Sequence, residues 1–129
     1  MTAIGNKTNE QNSHGKKCTG YDNYWLLNPS DEMLNLKRFA AQVVEPTSGR
    51  RLTLYTDQPS VILYTGNYLD GSQEGKHGCY YQTQQGLCLE PQRAFDHSLA
   101  DENYTPFSTC ILEPQKPFYS KSIYVFDVV

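Results

Sequence analysis

Arg51-Leu52-Thr53-Leu54-Tyr55-Thr56-Asp57-Gln58-Pro59-Ser60-Val61-Ile62-Leu63-Tyr64 decides the fold class of this 129-residue chain. Leu52, Leu54 and Thr56 alternate with Arg51, Thr53 and Tyr55, the period-two pattern of a half-buried strand. Pro59 separates that strand from Val61-Ile62-Leu63-Tyr64, a continuous apolar run suited to a strand covered on both faces. Upstream, residues 34–44 are rich in apolar side chains and end at the turn cluster Glu45-Pro46-Thr47-Ser48-Gly49. Downstream, Gly66, Asp70-Gly71 and Gly75 mark loops, residues 79–82 and 87–90 read as a further pair of strands, and Ile123-Tyr124-Val125-Phe126 as a closing strand. Residues 36–42 also carry good helix formers, so a short helix is the alternative there. No long helical pattern occurs elsewhere, and the expected fold class is all-β, as an antiparallel β-sandwich.

Composition narrows the function classes. The length suits one domain with a core and is short for two. A net charge of -3 gives no footprint for nucleic acid or an anionic membrane. Ten of the aromatic residues are Tyr, which suits flat polar ligands such as sugars and equally suits strands. Cys18, Cys79, Cys88 and Cys110 show no paired spacing and no interleaved His, so neither a zinc site nor another metal is expected. With no signal-like or membrane-length apolar run, these cysteines are expected as reduced thiols in a cytoplasmic protein, despite sequons at Asn6 and Asn103. Residues 1–20 are dominated by Asn, Lys, Thr, Gln and Gly and are expected to form a disordered arm. Aromatics then arrive together at Tyr21-Asp22-Asn23-Tyr24-Trp25, so residues 21–129 are expected to carry the ordered domain.

The chemistry-bearing feature is Glu90, a carboxylate closing the strand-like run Gly86-Leu87-Cys88-Leu89, with Gln92 two positions on. A carboxylate at the end of an apolar strand faces partial desolvation, which suits it to proton transfer near neutral pH. The plain alternative is a surface carboxylate at a strand end.

The motifs Gly20-Tyr21-Asp22, Ser48-Gly49-Arg50, Tyr55-Thr56-Asp57-Gln58-Pro59, Leu63-Tyr64-Thr65-Gly66-Asn67, Leu69-Asp70-Gly71 and Gly86-Leu87-Cys88-Leu89-Glu90-Pro91-Gln92 follow one another in this order. Each alone is weak. Together, from about Gly20 onward, they resemble the C-terminal part of the aldose 1-epimerases, the galactose mutarotases. The resemblance implies a large antiparallel β-sandwich, incomplete in this chain, and interconversion of the α and β anomers of free aldoses such as galactose or glucose. No cofactor is implied, and the partner is a monosaccharide. By resemblance Glu90 is the base that takes the C1 hydroxyl proton. Asp22 matches an Asp that hydrogen-bonds sugar hydroxyls, a task suited to a carboxylate that can accept from two neighbouring hydroxyls. Gln92, Tyr64 and Asn67 are the remaining candidate substrate-binding residues.

The departures bear on the same chemistry. The acid that protonates the ring oxygen is, by resemblance, a His from the part of the fold preceding this chain, and His14, His77 and His97 do not stand at the family's positions. Ile62 stands where the family often has a sugar-binding Gln, Pro91 where Thr is common, and Asn23 where many members have His. Residues 94–104 depart from the family pattern.

Local readings compete with each assignment. Tyr64 fits a core strand, Asn67 a turn, Trp25 packing, Gln58 loop backbone, and Arg50 and Arg51 a solvated turn. A non-catalytic carbohydrate- or protein-binding remnant of the sandwich therefore stands as the alternative function. An incomplete sandwich leaves sheet edges unpaired, so self-association is expected.

Overall fold

The computed structural model describes residues 20–28, 38–93 and 112–129. Those residues form eight strands: β1 (Asp22–Leu26), β2 (Phe39–Val44), β3 (Arg50–Thr56), β4 (Ser60–Tyr64), β5 (Asp70–Glu74), β6 (Tyr80–Gln82), β7 (Cys88–Gln92) and β8 (Ser122–Val128). The one helical turn among them is a 3-10 turn over Lys76–Gly78, so the fold class is all-β as the alternation implied. The strands pair in the orders β1-β4-β7, β2-β3-β8 and β5-β6. The expected arm over residues 1–20 lies, Gly20 apart, outside the described residues, as do Cys18, His14, His97 and Cys110.

Two compact units divide these residues, one holding those up to Trp25 together with Ile62–Glu90, the other Leu26–Val61 with Pro91–Val129. In the second unit β3 is the middle strand and pairs antiparallel with both β2 and β8. The register sets Val43 beside Leu52 beside Phe126, and Ala41 beside Leu54 beside Tyr124, so one face of this sheet is apolar. Leu54 is fully buried on that face, and among the described residues Val61 is the other buried hydrophobe. Thr53 and Thr56 are buried as well, so the middle of β3 is covered on both faces rather than the single face read from its alternation.

The possible helix over residues 36–42 gives way to β2 from Phe39 onward. The shift in register between Phe39 and Ala41 lets Ala40 bulge out and turns the Phe39 ring edge-on to Tyr55 at 6.3 Å. Tertiary pairing with β3 outweighs the weak local preference for helix. Arg51, expected as solvated, makes a two-pronged contact with Asp127 directly opposite on β8, with Nε donating to Oδ1 at 2.6 Å.

In the first unit Asp70-Gly71 opens β5 rather than lying in a loop, with Gly71 at a φ of 80°. Polar composition hid this strand: Asp70, Ser72, Gln73 and Glu74 carry no apolar alternation. Its pairing with β6 is closed by the Gly75 N–H donating to the Cys79 carbonyl at 2.7 Å. β6 and β7 are thus not partners of one another; β6 joins β5 and β7 lies next to β4. No helix of the described residues is long and apolar enough to cross a membrane.

Candidate functional site

The first unit carries four of the five candidate residues, on β1, the end of β4, the following turn and β7. Leu27 N–H donates to the Pro59 carbonyl at 2.9 Å and Thr65 N–H to the Tyr21 carbonyl at 3.1 Å. The start of β1 therefore meets the end of β4 and the reverse, which requires an antiparallel pair. The spacing of those two bonds sets Asp22 opposite Tyr64, with both side chains on one face. Ile62, two residues before Tyr64, shares that face. The apolar departure from the resemblance thus stands beside the candidates rather than away from them.

Asp22 is half-buried, and its N–H donates to Asn23 Oδ1 at 3.3 Å. Tyr64 is half-buried rather than core; its ring stacks on Tyr68 with centroids 6.2 Å apart and planes 19° apart. The Tyr64 hydroxyl accepts the Tyr68 N–H at 3.1 Å, so the strand end and the turn after it are tied together. Asn67 lies in that turn with both ends of its amide engaged: Nδ2 donates to the Tyr21 carbonyl at 2.7 Å, and Oδ1 accepts from the Thr65 hydroxyl at 2.9 Å. Trp25 is 44% exposed, with its ring 5.8 Å from that of Tyr21.

Glu90 is exposed in the middle of β7. The partial desolvation expected of it is not supplied by the described residues, because β7 is the last strand in its sheet and nothing among them covers the side chain. That same edge position explains how Pro91 is accommodated, since a strand at the end of a sheet tolerates a missing N–H. Proline in turn confines Glu90 to extended backbone, which aims its side chain in a defined direction.

Gln92, in the second unit, is held through its carbonyl, which accepts from the buried Ser60 hydroxyl at 2.7 Å. Among the described residues its buried side-chain Nε2 has no hydrogen-bond partner. Gln58, expected to satisfy loop backbone with its side chain, instead bonds Asp57 Oδ1 at 3.0 Å, while its carbonyl accepts from Arg38 Nη2 at 2.6 Å.

The carboxylates held low lie elsewhere. Glu45 is lowered to about 2 by the Ser48 hydroxyl and the N–H groups of Thr47 and Ser48. Asp70 is lowered by Ser72, and Asp127 by Arg51. No group of three or more metal-binding side chains occurs among the described residues. His77 is their one histidine and stands exposed in the 3-10 turn at a φ of 61°. Sequence reading missed Thr65 and Asn67 as partners of Tyr21, because that bonding joins residues more than forty positions apart.

A family model described as aldose 1-epimerase matches residues 2–124, starting well before the Gly20 at which the motif series begins. Over 109 residues the chain is 38% identical to the galactose mutarotases of Mus musculus and Homo sapiens, covering 84% of this chain and 30% of each relative. It is 31% identical over 112 residues to the aldose 1-epimerase of Escherichia coli (strain K12), covering 86% of this chain and 30% of that protein. The chain therefore spans about 30% of the length of the curated relatives it matches. With a family match across nearly its whole length and relatives at 38% identity, the chain belongs to the aldose 1-epimerase family.

Proposed function

We propose that this chain contributes the base-bearing part of an aldose 1-epimerase site that interconverts the α and β anomers of an aldose such as galactose or glucose. The observation that carries this reading is the order β1-β4-β7, which sets the strands of Asp22 and Glu90 on either side of β4. Two strand spacings separate them by about 10 Å, a span that a pyranose ring with its hydroxyls fills. Glu90 takes the C1 hydroxyl proton as the C1–O5 bond breaks and its electron pair passes to O5. An acid protonates O5, C1 becomes the aldehyde carbon, rotation about C1–C2 exposes its other face, and reclosure reverses each transfer. Asp22 accepts from sugar hydroxyls, and the Tyr64 ring packs against the sugar. The acid is expected from the portion of the family domain outside this chain, and the two exposed thiols, Cys79 and Cys88, suit a reducing cytoplasm.

Ile62 favours a second reading, a non-catalytic sandwich remnant that binds carbohydrate or protein, because an alkyl side chain on the Asp22 face offers no hydrogen bond. Polarimetry of fresh α-galactose and α-glucose separates the two. Acceleration that Glu90→Gln lowers by about 10²–10⁴-fold supports the epimerase. Where the folded chain alone leaves the rate at its spontaneous value, added imidazole stands in for the absent acid: a rate gain that Glu90→Gln abolishes keeps the base-bearing reading, and no gain leaves the remnant.

A further inference from the structure

We propose that Thr65 and Asn67 form a clamp that positions Asp22, and that Asn67 is a positioning residue rather than a sugar ligand. The inference rests on the role given to Asp22 above. The peptide unit joining Tyr21 to Asp22 sets the direction in which the Asp22 side chain leaves the backbone, and it is held from both ends. Its carbonyl, that of Tyr21, accepts from Asn67 Nδ2 at 2.7 Å and from the Thr65 N–H at 3.1 Å. Its N–H, that of Asp22, donates to Asn23 Oδ1 at 3.3 Å.

One residue earlier, the Tyr21 N–H donates to Thr65 Oγ1 at 2.8 Å, and that hydroxyl donates onward to Asn67 Oδ1 at 2.9 Å. The chain of bonds runs from the Asn67 amide through the Thr65 hydroxyl and back to the main chain before Asp22. Thr65 is 3% exposed, so these bonds form largely away from competing water.

Two further features belong to the same device. Gly20 packs so closely on it that a Cβ there would collide with Asn67 Oδ1 and Thr65 Oγ1. Glycine at this position is therefore required by approach rather than by an unusual backbone angle. Gly66, at a φ of 67°, turns the chain between the two clamp residues, and its carbonyl accepts the N–H of Leu69 at 3.3 Å and of Gln84 at 3.1 Å. The turn that carries Asn67 is thus itself anchored, and a fixed turn can hold a fixed strand start.

An amide with both ends engaged in the fold has little left to offer a sugar. Asparagine is specifically suited to the clamp because one side chain both donates to a carbonyl and accepts from a hydroxyl. Aspartate of the same shape keeps the acceptor and loses the donor.

The first test needs no sugar. NMR of the full chain reads the Asp22 side-chain rotamer populations and the Tyr21 and Asp22 amide shifts in the native protein and in Asn67→Asp, Thr65→Val and Thr65→Ser. Rotamer averaging at Asp22 is expected in Asn67→Asp and Thr65→Val, with recovery in Thr65→Ser, which restores the hydroxyl. Gly20→Ala is expected to act like Asn67→Asp although it touches neither bonding side chain. An Asp22 signature unchanged in Asn67→Asp overturns the clamp.

The second test is a galactose titration followed by NMR. Asn67→Asp is expected to weaken galactose binding by about tenfold, as when one hydrogen bond to the sugar is lost. Added to Asp22→Ala it is expected to change nothing further, since its effect passes through that carboxylate. A full additional loss in the double variant returns Asn67 to the role of a sugar ligand. If the native chain does not bind galactose, the role given to Asp22 falls, while the NMR result still decides the clamp.

Discussion

β3 and β8 lie side by side in one sheet, carry similar apolar residues, and end in opposite circumstances. On β3, Leu54 is completely buried; on β8, Phe126 is 75% exposed, although the register sets the two strands' apolar side chains on the same face. The difference is position rather than composition. β3 has a strand on each side and shields its middle from both, whereas β8 is the last strand in the order β2-β3-β8. An apolar pattern says which way a face points. It does not say that a layer covers it, and in this chain, which spans about 30% of its relatives' length, the β8 end of that face stays open.

Truncating a side chain on each strand tests the contrast most directly. Leu54→Ala is expected to destabilise the chain by about 2–5 kcal/mol, through lost transfer energy and the cavity left behind. Phe126→Ala, despite removing a larger side chain, is expected to stay within about 0.5 kcal/mol. Equal losses in urea denaturation would mean that β8 is covered in solution. Next in size is Gly49→Ala, at the turn joining β2 to β3. Gly49 has a φ of 69°, and a Cβ there would run into the Val129 carbonyl beyond the end of β8. The left-handed conformation alone costs a non-glycine residue about 1–2 kcal/mol, and the collision adds to it.

A smaller free energy separates the two strands in assembly. Phe126, Val128 and Tyr124 form an apolar edge that a second copy can cover, so the native chain is expected to associate as concentration rises. Phe126→Lys with Val128→Lys is expected to return it to a monomer in sedimentation, with the unfolding free energy little changed. A native chain that stays monomeric throughout would remove the open face from the comparison.

How much of this was legible in the sequence follows from which interactions are local. The alternation in residues 51–56, the break at Pro59 and the apolar run after it correctly yielded β3 and β4, because side-chain period reports directly on a pleated backbone. β5 escaped because its residues are polar, and a hairpin held by main-chain bonds leaves no hydrophobic trace. Glu90 was read as the end of a strand, whereas β7 runs on through Pro91 to Gln92. The solvent exposure of Glu90 matches the plain alternative of a surface carboxylate, and the expected desolvation failed because it depends on what covers β7 rather than on local sequence. Asn67 read equally well as a turn residue or a ligand; only the fold brings Tyr21 and Thr65 to it.

The smallest expected effect is a test of pH, and it sets the turn that feeds β3 against the ion pair on β8. Glu45 accepts the N–H groups of Thr47 at 2.8 Å and Ser48 at 2.7 Å, together with the Ser48 hydroxyl, and these hold it at about 2 against an ordinary 4.5. A carboxylate lowered by folding stabilises the fold while it is ionised in both states. That contribution is complete above the ordinary value of 4.5 and drains away as pH falls toward about 2. Asp127 is also lowered, by Arg51 across the sheet, so it acts in the same direction over the acid range below its ordinary value of 3.8. Glu45→Gln is expected to flatten the fall in melting temperature between about pH 5 and pH 2, and Asp127→Asn to flatten only its more acid part. Both groups are solvent-exposed, so added salt should shrink the Asp127 effect, which depends on a charge pair, more than that of Glu45, which depends on hydrogen bonds within a tight turn. If salt diminished both equally, the turn would owe its order to long-range charge rather than to the three donors gathered around Glu45.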